Sequence, residues 1–247
     1  FLVDIGNSFI KSAFVHKGEV TFCPPVATRD FAGKAVTGWP FVAQTEKTPD
    51  LVYVSSVVDK EITQNCRELI MQKWGLEPEF ASVSNNYMGL TTQYEDPGAL
   101  GVDRWLACLA AWHDLRNDVV VVDAGTAITI DFVSAKGEHL GGVIGPGIGT
   151  MMAALEKNMT RLKQADREIG SFTVPRDSEK ALLTGAVFSA LGLLREMKLQ
   201  CRYILGVSEP VWLLTGGEVD QLSNGISWPH IRRKNLVIQG LKLLAAG

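Results

Sequence analysis

The sequence predicts an α/β protein built from two copies of one motif, each a run of strands followed by alternating helices and strands, with a ligand cleft between the halves. Residues 119–133, VVVVDAGTAITIDFV, echo residues 1–15, FLVDIGNSFIKSAFV. Each reads as an apolar strand, an aspartate, a turn holding glycine with a hydroxyl or amide residue, and a second strand, so one hairpin opens each half as an internal repeat. Four valines before Asp123 suit a strand covered on both faces. Gly6 and Gly125 permit tight turns where backbone N–H groups can approach an anion. The expected halves are residues 1–116 and 117–247.

The elements follow in order. After the first hairpin come a strand at 19–22, a short helix at 28–38, a strand at 51–55, a helix at 60–74 and a strand near 79–83. Asp59 is a suitable N-cap for the helix at 60–74; Ile62, Cys66, Leu69 and Ile70 face inward, and Gly75 closes it. In the first hairpin Phe9, Lys11, Ala13 and Val15 share a face, so Lys11 projects just beyond the anion-sized turn; an aggregation-blunting edge lysine is the plainer reading. From 84 to 100 periodicity is lost and turn formers collect, which reads as a long loop. GVDRWLACLAAWHDL then makes a helix with Trp105, Leu106, Leu109 and Trp112 on its apolar side. Asp103 and Arg104 fall in its opening turn, where the helix dipole favours a carboxylate; taken alone they read as an N-terminal acid and a surface arginine. The second half continues with a strand at 138–143, then GGVIGPG as a glycine-rich connection into a helix near Gly149, a pattern that can hold phosphate. A polar excursion at 161–175 precedes a long helix at 178–206 whose Leu182, Leu183, Val187, Leu191 and Leu194 form a wide apolar face, fit for a core or a second subunit. A strand at 211–214, a Gly-Gly turn at Gly216 and Gly217 that could admit a flat ring, and helices near 218–223 and 236–246 complete the chain.

Composition narrows the function. With 247 residues, 46% hydrophobic and 21% charged, the chain has a globular composition and length for two compact halves. A net charge of −3 offers no field to recruit nucleic acid or an acidic membrane. The one basic run, Arg232-Arg233-Lys234, reads as solvated surface. Cys23, Cys66, Cys108 and Cys201 form no C-x-x-C, and the histidines are scattered, so reduced core thiols are expected and a structural zinc site is not. No apolar run approaches the roughly 20 residues that span a bilayer, and no signal peptide precedes the first strand, so the expectation is a cytoplasmic protein.

Two aspartates at strand ends beside glycine turns, Asp4 and Asp123, facing one another across a pseudo-symmetric cleft, suit a divalent cation that binds phosphates. Magnesium needs only one or two carboxylates when phosphate and water supply its other oxygens. Asp103 on a separate element could take the proton of a hydroxyl nucleophile. Anion cradle, metal site and base are the parts of a phosphoryl transferase.

DIGNSFIK, GVDRW, DAGTAITID, GGVIGPG and LLTGGE, in this order and near these separations, resemble the type III pantothenate kinases, from Asp4 to the C-terminal helix. That family lies in the acetate and sugar kinase, Hsc70 and actin (ASKHA) superfamily, so the resemblance implies a duplicated RNase H-like, actin-like ATPase fold with a central nucleotide cleft. By position it implies a first phosphate loop of Asp4, Ile5, Gly6, Asn7, Ser8, Phe9, Ile10 and Lys11, with Asp4 near magnesium and Lys11 near the nucleotide phosphates. Asp123 matches an aspartate that binds a monovalent cation, potassium or ammonium, and Thr126 an ATP contact. Gly101, Val102, Asp103 and Arg104 match the pantothenate-binding segment, with Asp103 as proton acceptor; Tyr87 matches a substrate contact, and Ser178 stands where the family has a substrate-binding threonine. Gly216 and Gly217 match the adenosine motif. The implied reaction takes ATP and pantothenate to ADP and 4′-phosphopantothenate in a homodimer.

Ser8 replaces the commoner threonine of the first loop, and Asp177-Ser178 stands for asparagine-threonine. Three rival readings are weighed. A sugar or acetate kinase of the superfamily is usually longer and lacks GVDRW. An accessory regulatory protein that lost catalysis would not need Asp4, Asp103 and Asp123 intact. A nucleic-acid protein on an RNase H fold would carry a clustered acid tetrad.

Overall fold

The computed structural model describes residues 1–31, 48–158 and 174–246. In chain order the elements are β1 (Leu2–Ile5), β2 (Phe9–His16), β3 (Glu19–Phe22), β4 (Val26–Ala27), β5 (Tyr53–Ser56), α1 (Lys60–Trp74), β6 (Glu79–Phe80), β7 (Asn86–Tyr87), β8 (Leu90–Thr92), α2 (Val102–Leu115), β9 (Val119–Ala124), β10 (Ala127–Val133), β11 (Glu138–Pro146), α3 (Ile148–Asn158), α4 (Ser178–Ile204), β12 (Val211–Thr215), α5 (Val219–Ser223), β13 (Ile231–Arg232) and α6 (Leu236–Ala246). Two compact units emerge. The first holds Phe1–Tyr87, Tyr94–Ala110 and Asn235–Gly247, the second Met88–Gln93 and Ala111–Lys234.

In the first unit the strands order as β3-β2-β1-β5-β6, with β4 also on β2. The β1–β2 pair is antiparallel and the β1–β5 pair parallel. Val3, Ile5, Ile10 and Val54 join Cys66, Leu69 and Ile70 of α1 in one apolar cluster, as the 3.6-residue spacing of α1 requires. Gly75 ends α1 in the left-handed conformation, φ 69°, its N–H returning to Met71 O. Asp59 holds the N-cap position, but its side chain makes no capping bond. Helix α6 packs against β1, β2 and β5, and it comes so close to α2 that a Cβ on Gly240 would strike the Leu106 backbone.

The second unit's sheet runs β13-β12-β9-β10-β11-β8. All four valines of β9 are buried, so the strand is covered on both faces. Val120 and Val122 pack with Ile128, Ile130 and Phe132 of β10 and with Leu183, Val187, Leu191 and Leu194 of α4, which assigns the wide apolar face of α4 to this core. A buried polar pair sits in the same unit. His139 Nε2 lies 2.8 Å from Asp131 Oδ1, and His139 Nδ1 lies 3.3 Å from Thr92 Oγ1.

Several expectations are corrected. The stretch 84–100 is not a bare loop: it carries β7, β8 and a 3-10 turn at Pro97–Ala99. Strand β8 exists because β11 offers it parallel partners, Glu138↔Thr91 and His139↔Thr92, a pairing invisible to local periodicity. Most of GGVIGPG is strand, since β10 pairs with β11 as far as Ala127↔Pro146. The expected helix at 28–38 is a 3-10 turn over Thr28–Phe31; its remainder, like residues 161–173 of the polar excursion, lies outside the described residues. Lys11 is no edge lysine, because β2 sits between β1 and β3. The basic run lies at the surface as expected, with Arg232 pairing with Asp220 and Arg233 approaching Asp114 at 3.5 Å. The four cysteines form no disulfide. Among the described residues no helix is long and apolar enough to cross a membrane.

Candidate active site

In the first unit the sheet register sets Asp4 directly between Lys11 on β2 and Ser55 on β5. Directly opposed residues share a face, so an acid, a base and a hydroxyl stand in one row across the sheet. Asp4 is only 7% exposed, whereas Asn7, Ser8 and Phe9 of the following turn are exposed. Gly6 N donates to Phe9 O at 3.1 Å, and a Cβ on Gly6 would lie 3.2 Å from the same oxygen. Thr28 locks the turn from outside: its hydroxyl donates to Gly6 O at 2.6 Å and its N–H to Ser8 O at 3.0 Å. Ile5 and Ile10 are buried. They anchor the turn, while residues 6–9 present its surface.

Helix α2 opens at Gly101, whose carbonyl accepts from Trp105 N at 3.0 Å. The Asp103 carboxylate folds back over this first turn and accepts from Arg104 N at 2.8 Å. A Cβ on Gly101 would sit 2.7 Å from Asp103 Oδ1, so the glycine clears the space the carboxylate fills. Val102 is half-buried beside it. Arg104 is not the surface arginine of the plain reading. It is 8% exposed, and its Nη1 donates to Tyr94 Oη at 3.3 Å. Tyr87 stands edge-on to Trp105 of the same helix, ring centres 6.1 Å apart, and its hydroxyl donates to Leu243 O at 3.3 Å.

In the second unit three turns interlock. Asp123 and Ala124 end β9, and Gly125 and Thr126 turn into β10, with Gly125 N donating to Ala127 O at 3.0 Å. Thr126 O accepts from Gly147 N at 3.0 Å and from the Thr150 hydroxyl at 2.5 Å. Ala124 O accepts from Glu218 N at 2.9 Å. Gly216 has φ +105° and lies so near Ala124 that a Cβ would overlap its backbone, whereas a Cβ on Gly217 would meet open space. Asp123 is flanked in register by Thr129 on β10 and Thr215 on β12, placing two hydroxyls on its face. Such a set of hard oxygens suits a hard cation. Ser178, the exposed first residue of α4, takes no part in this node; Asp177 before it caps the helix by accepting from Glu179 N and Lys180 N.

The helix start that follows GGVIGPG is already engaged. The Glu218 carboxylate accepts from Ile148 N at 2.8 Å and Gly149 N at 2.9 Å, so an internal anion holds the place where the sequence suggested phosphate. Thr28 and Tyr94 carry no signal in local pattern. Only Glu218, an acid directly after a Gly-Gly turn, had a distinctive neighbourhood. A groove of about 490 Å³ lies between α3 and α4, with Thr150, Met151, Leu155 and Leu182 in its wall.

Comparison with known proteins gives a consistent result. The family model described as type III pantothenate kinase matches residues 1–200. A type III pantothenate kinase of Nitrosospira multiformis is 33% identical over 98% of this chain and 89% of its own length; one of Chromobacterium violaceum is 31% identical over 99% and 98%. Among solved structures, a Baf family transcriptional activator from Campylobacter jejuni aligns with TM-score 0.60 and 25% identity over 99% of this chain and 97% of its own. The actin-like MreB 5 of Spiroplasma citri aligns over 99% and 96% with TM-score 0.50 at 10% identity, a likeness of fold alone.

Proposed function

The chain belongs to the type III pantothenate kinase family, and we propose that Asp103 is the general base of the reaction this membership entails. Its fold is that of the actin-like ATPase (ASKHA) superfamily, and it uses ATP to phosphorylate pantothenate, the first step of coenzyme A biosynthesis. The product is 4′-phosphopantothenate.

The observation that carries the assignment is the opening turn of α2. Gly101 vacates the space, the Asp103 carboxylate occupies it, and the Arg104 N–H fixes its orientation at 2.8 Å. A carboxylate held this way can accept the primary hydroxyl proton while that oxygen attacks the γ-phosphorus in line. The new O–P bond forms as the bond to the β-phosphate oxygen breaks, and ADP leaves with that electron pair. General-base help of this kind is worth about 10²–10⁴-fold. Arg104, anchored on Tyr94, suits the pantothenate carboxylate, with Gly101, Val102, Tyr87 and Ser178 as further substrate contacts.

Residues 4–11 would form the first phosphate loop, with Lys11 pairing with nucleotide phosphates and Asp4 holding Mg²⁺, which would neutralise phosphate charge. Thr126, Gly216 and Gly217 line the nucleotide from the second unit's turns, and Asp123 with Thr129 and Thr215 would hold K⁺ or NH₄⁺. The α3–α4 groove, with exposed Phe188 and Leu155 on the same helices, is the face we assign to a second copy in a homodimer, acting in the cytoplasm.

ADP release from ATP and Mg²⁺ is the test, with and without pantothenate and with K⁺ or Na⁺ alone. Pantothenate-dependent, K⁺-stimulated release is expected, together with a strong loss of turnover in folded Asp103→Asn. Normal turnover in that variant removes Asp103 as the base; absence of K⁺ stimulation removes the Asp123 cation site. An active monomer by light scattering removes the dimer.

A further inference from the structure

We propose that Glu218 is a positioning residue of the nucleotide site, a clasp that holds the adenosine-side turn against the phosphate-side turn. The inference rests on the reading of Gly216 and Gly217 as the adenosine turn and Thr126 as a phosphate contact.

Helix α3 begins where capping from its own sequence is barred. Gly147 is its N-cap, the carbonyl accepting from Met151 N at 2.9 Å. Serine or aspartate would be the usual choice there. A Cβ at Gly147 would run into Gly125 O and lie 2.8 Å from Thr126 O, so any side chain would displace the turn after Asp123. The orphan N–H groups of Ile148 and Gly149 therefore need an acceptor from elsewhere. Glu218 supplies it from 70 and 69 residues away, one oxygen to each N–H at 2.8 and 2.9 Å. Gly149 is part of the arrangement, because its Cβ would lie 3.0 Å from Glu218 Oε1.

The same residue reaches the phosphate-side turn through its backbone, Glu218 N donating to Ala124 O at 2.9 Å. Glu218 thus bonds once to the β9 end and twice to the α3 start, and α3 in turn holds Thr126 O through Gly147 N and Thr150 Oγ1. Gly216 and Gly217 sit immediately before this anchor. A carboxylate on helix N–H groups is charge-assisted and favoured by the helix dipole, so the clasp fixes the spacing of the two turns before nucleotide arrives. Preorganisation of this kind lowers the ordering cost of binding.

The test compares Glu218→Ala, Glu218→Gln and Gly217→Val by equilibrium binding of ATP·Mg²⁺ and by KM for each substrate, with circular dichroism to show folding. Glu218→Ala is expected to weaken ATP binding about ten-fold, as for loss of one strong hydrogen bond's worth of organisation. Glu218→Gln, keeping one acceptor, should fall between, and the pantothenate KM should stay within about two-fold. Should Glu218→Ala fail to fold, the Gln variant carries the comparison. Unchanged ATP affinity in a variant with lowered Tm makes Glu218 a helix cap only and overturns the proposal, as does an equal rise in both KM values. Gly217→Val separates the two readings. If it abolishes ATP binding while the Glu218 variants bind normally, the clasp alone falls; if it binds ATP normally, the adenosine turn falls and the clasp with it.

Discussion

Gly101→Ala is the sharpest probe of the catalytic assignment, because it moves the Asp103 carboxylate without touching its chemistry. The added Cβ would lie 2.7 Å from Asp103 Oδ1, where ordinary contact begins at 3.4 Å, so the carboxylate must retreat by about 0.7 Å. The clash falls on the far end of a rotatable side chain, with the Arg104 side-chain carbons at 3.7 and 3.9 Å. The helix itself is spared. Gly101 has no positive φ to protect, and alanine at a compatible site stabilises by about 0.4–1 kcal/mol, so Tm should hold or rise slightly. Turnover should behave oppositely. Misplacement near 1 Å costs on the order of 10²-fold, and a loss of about 10- to 100-fold in kcat is expected, short of the loss in Asp103→Asn. ADP release at saturating ATP and pantothenate, paired with a thermal melt, reads both quantities. Wild-type kcat in a normally melting Gly101→Ala protein would refute the claim that the position of this carboxylate governs the chemical step.

Three further outcomes are expected. His139→Ala removes the 2.8 Å partner of the buried Asp131 side chain, and loss of a hydrogen-bond partner at a buried polar group costs about 1–3 kcal/mol, roughly 2–12 °C in Tm; an unchanged melt would show that the pair carries no stability. Burial pushes the Cys66 thiol up to about 12. At pH 8 it is therefore protonated, and iodoacetamide should label it only after denaturation, whereas half-buried Cys23 reacts in the native protein; equal native labelling by mass spectrometry would contradict this. Gly240→Ala forces a Cβ into the Leu106 backbone, and overpacking of this type costs about 1–3 kcal/mol or more, so urea midpoints should drop; an unchanged midpoint would mean that α6 and α2 can separate there freely.

Elements fixed by their own residues were legible in the sequence. The inward positions Cys66, Leu69 and Ile70 with Gly75 at the end located α1, and four successive valines located β9 and its burial on both faces. What escaped depends on partners distant in the chain. β8 is a strand because β11 lies beside it, and Arg104 is buried because Tyr94 and the fold around α2 cover it. Glu218 reads as an ordinary surface acid until the helix 70 residues earlier is seen to need it. Glycines were half legible. Their abundance marked turns, but only contact geometry tells Gly147 and Gly216, which cannot carry a side chain, from Gly217, which can.

The return of the chain to its first unit makes the N-terminal sheet depend on the last helix. Strands β1, β2 and β5 are translated early, yet α6, which packs on all three, is translated after every residue of the second unit. Domains generally fold as units while synthesis proceeds, the N-terminal one first. Here the N-terminal unit is the one completed last in the chain: residues through Lys234 supply the whole second unit, while the first sheet depends on Leu236, Val237, Ile238 and Leu241 beyond it. A chain ending at Lys234 should therefore keep a protease-resistant second unit and lose that resistance in the first, whose uncovered sheet would offer chaperones a surface to hold.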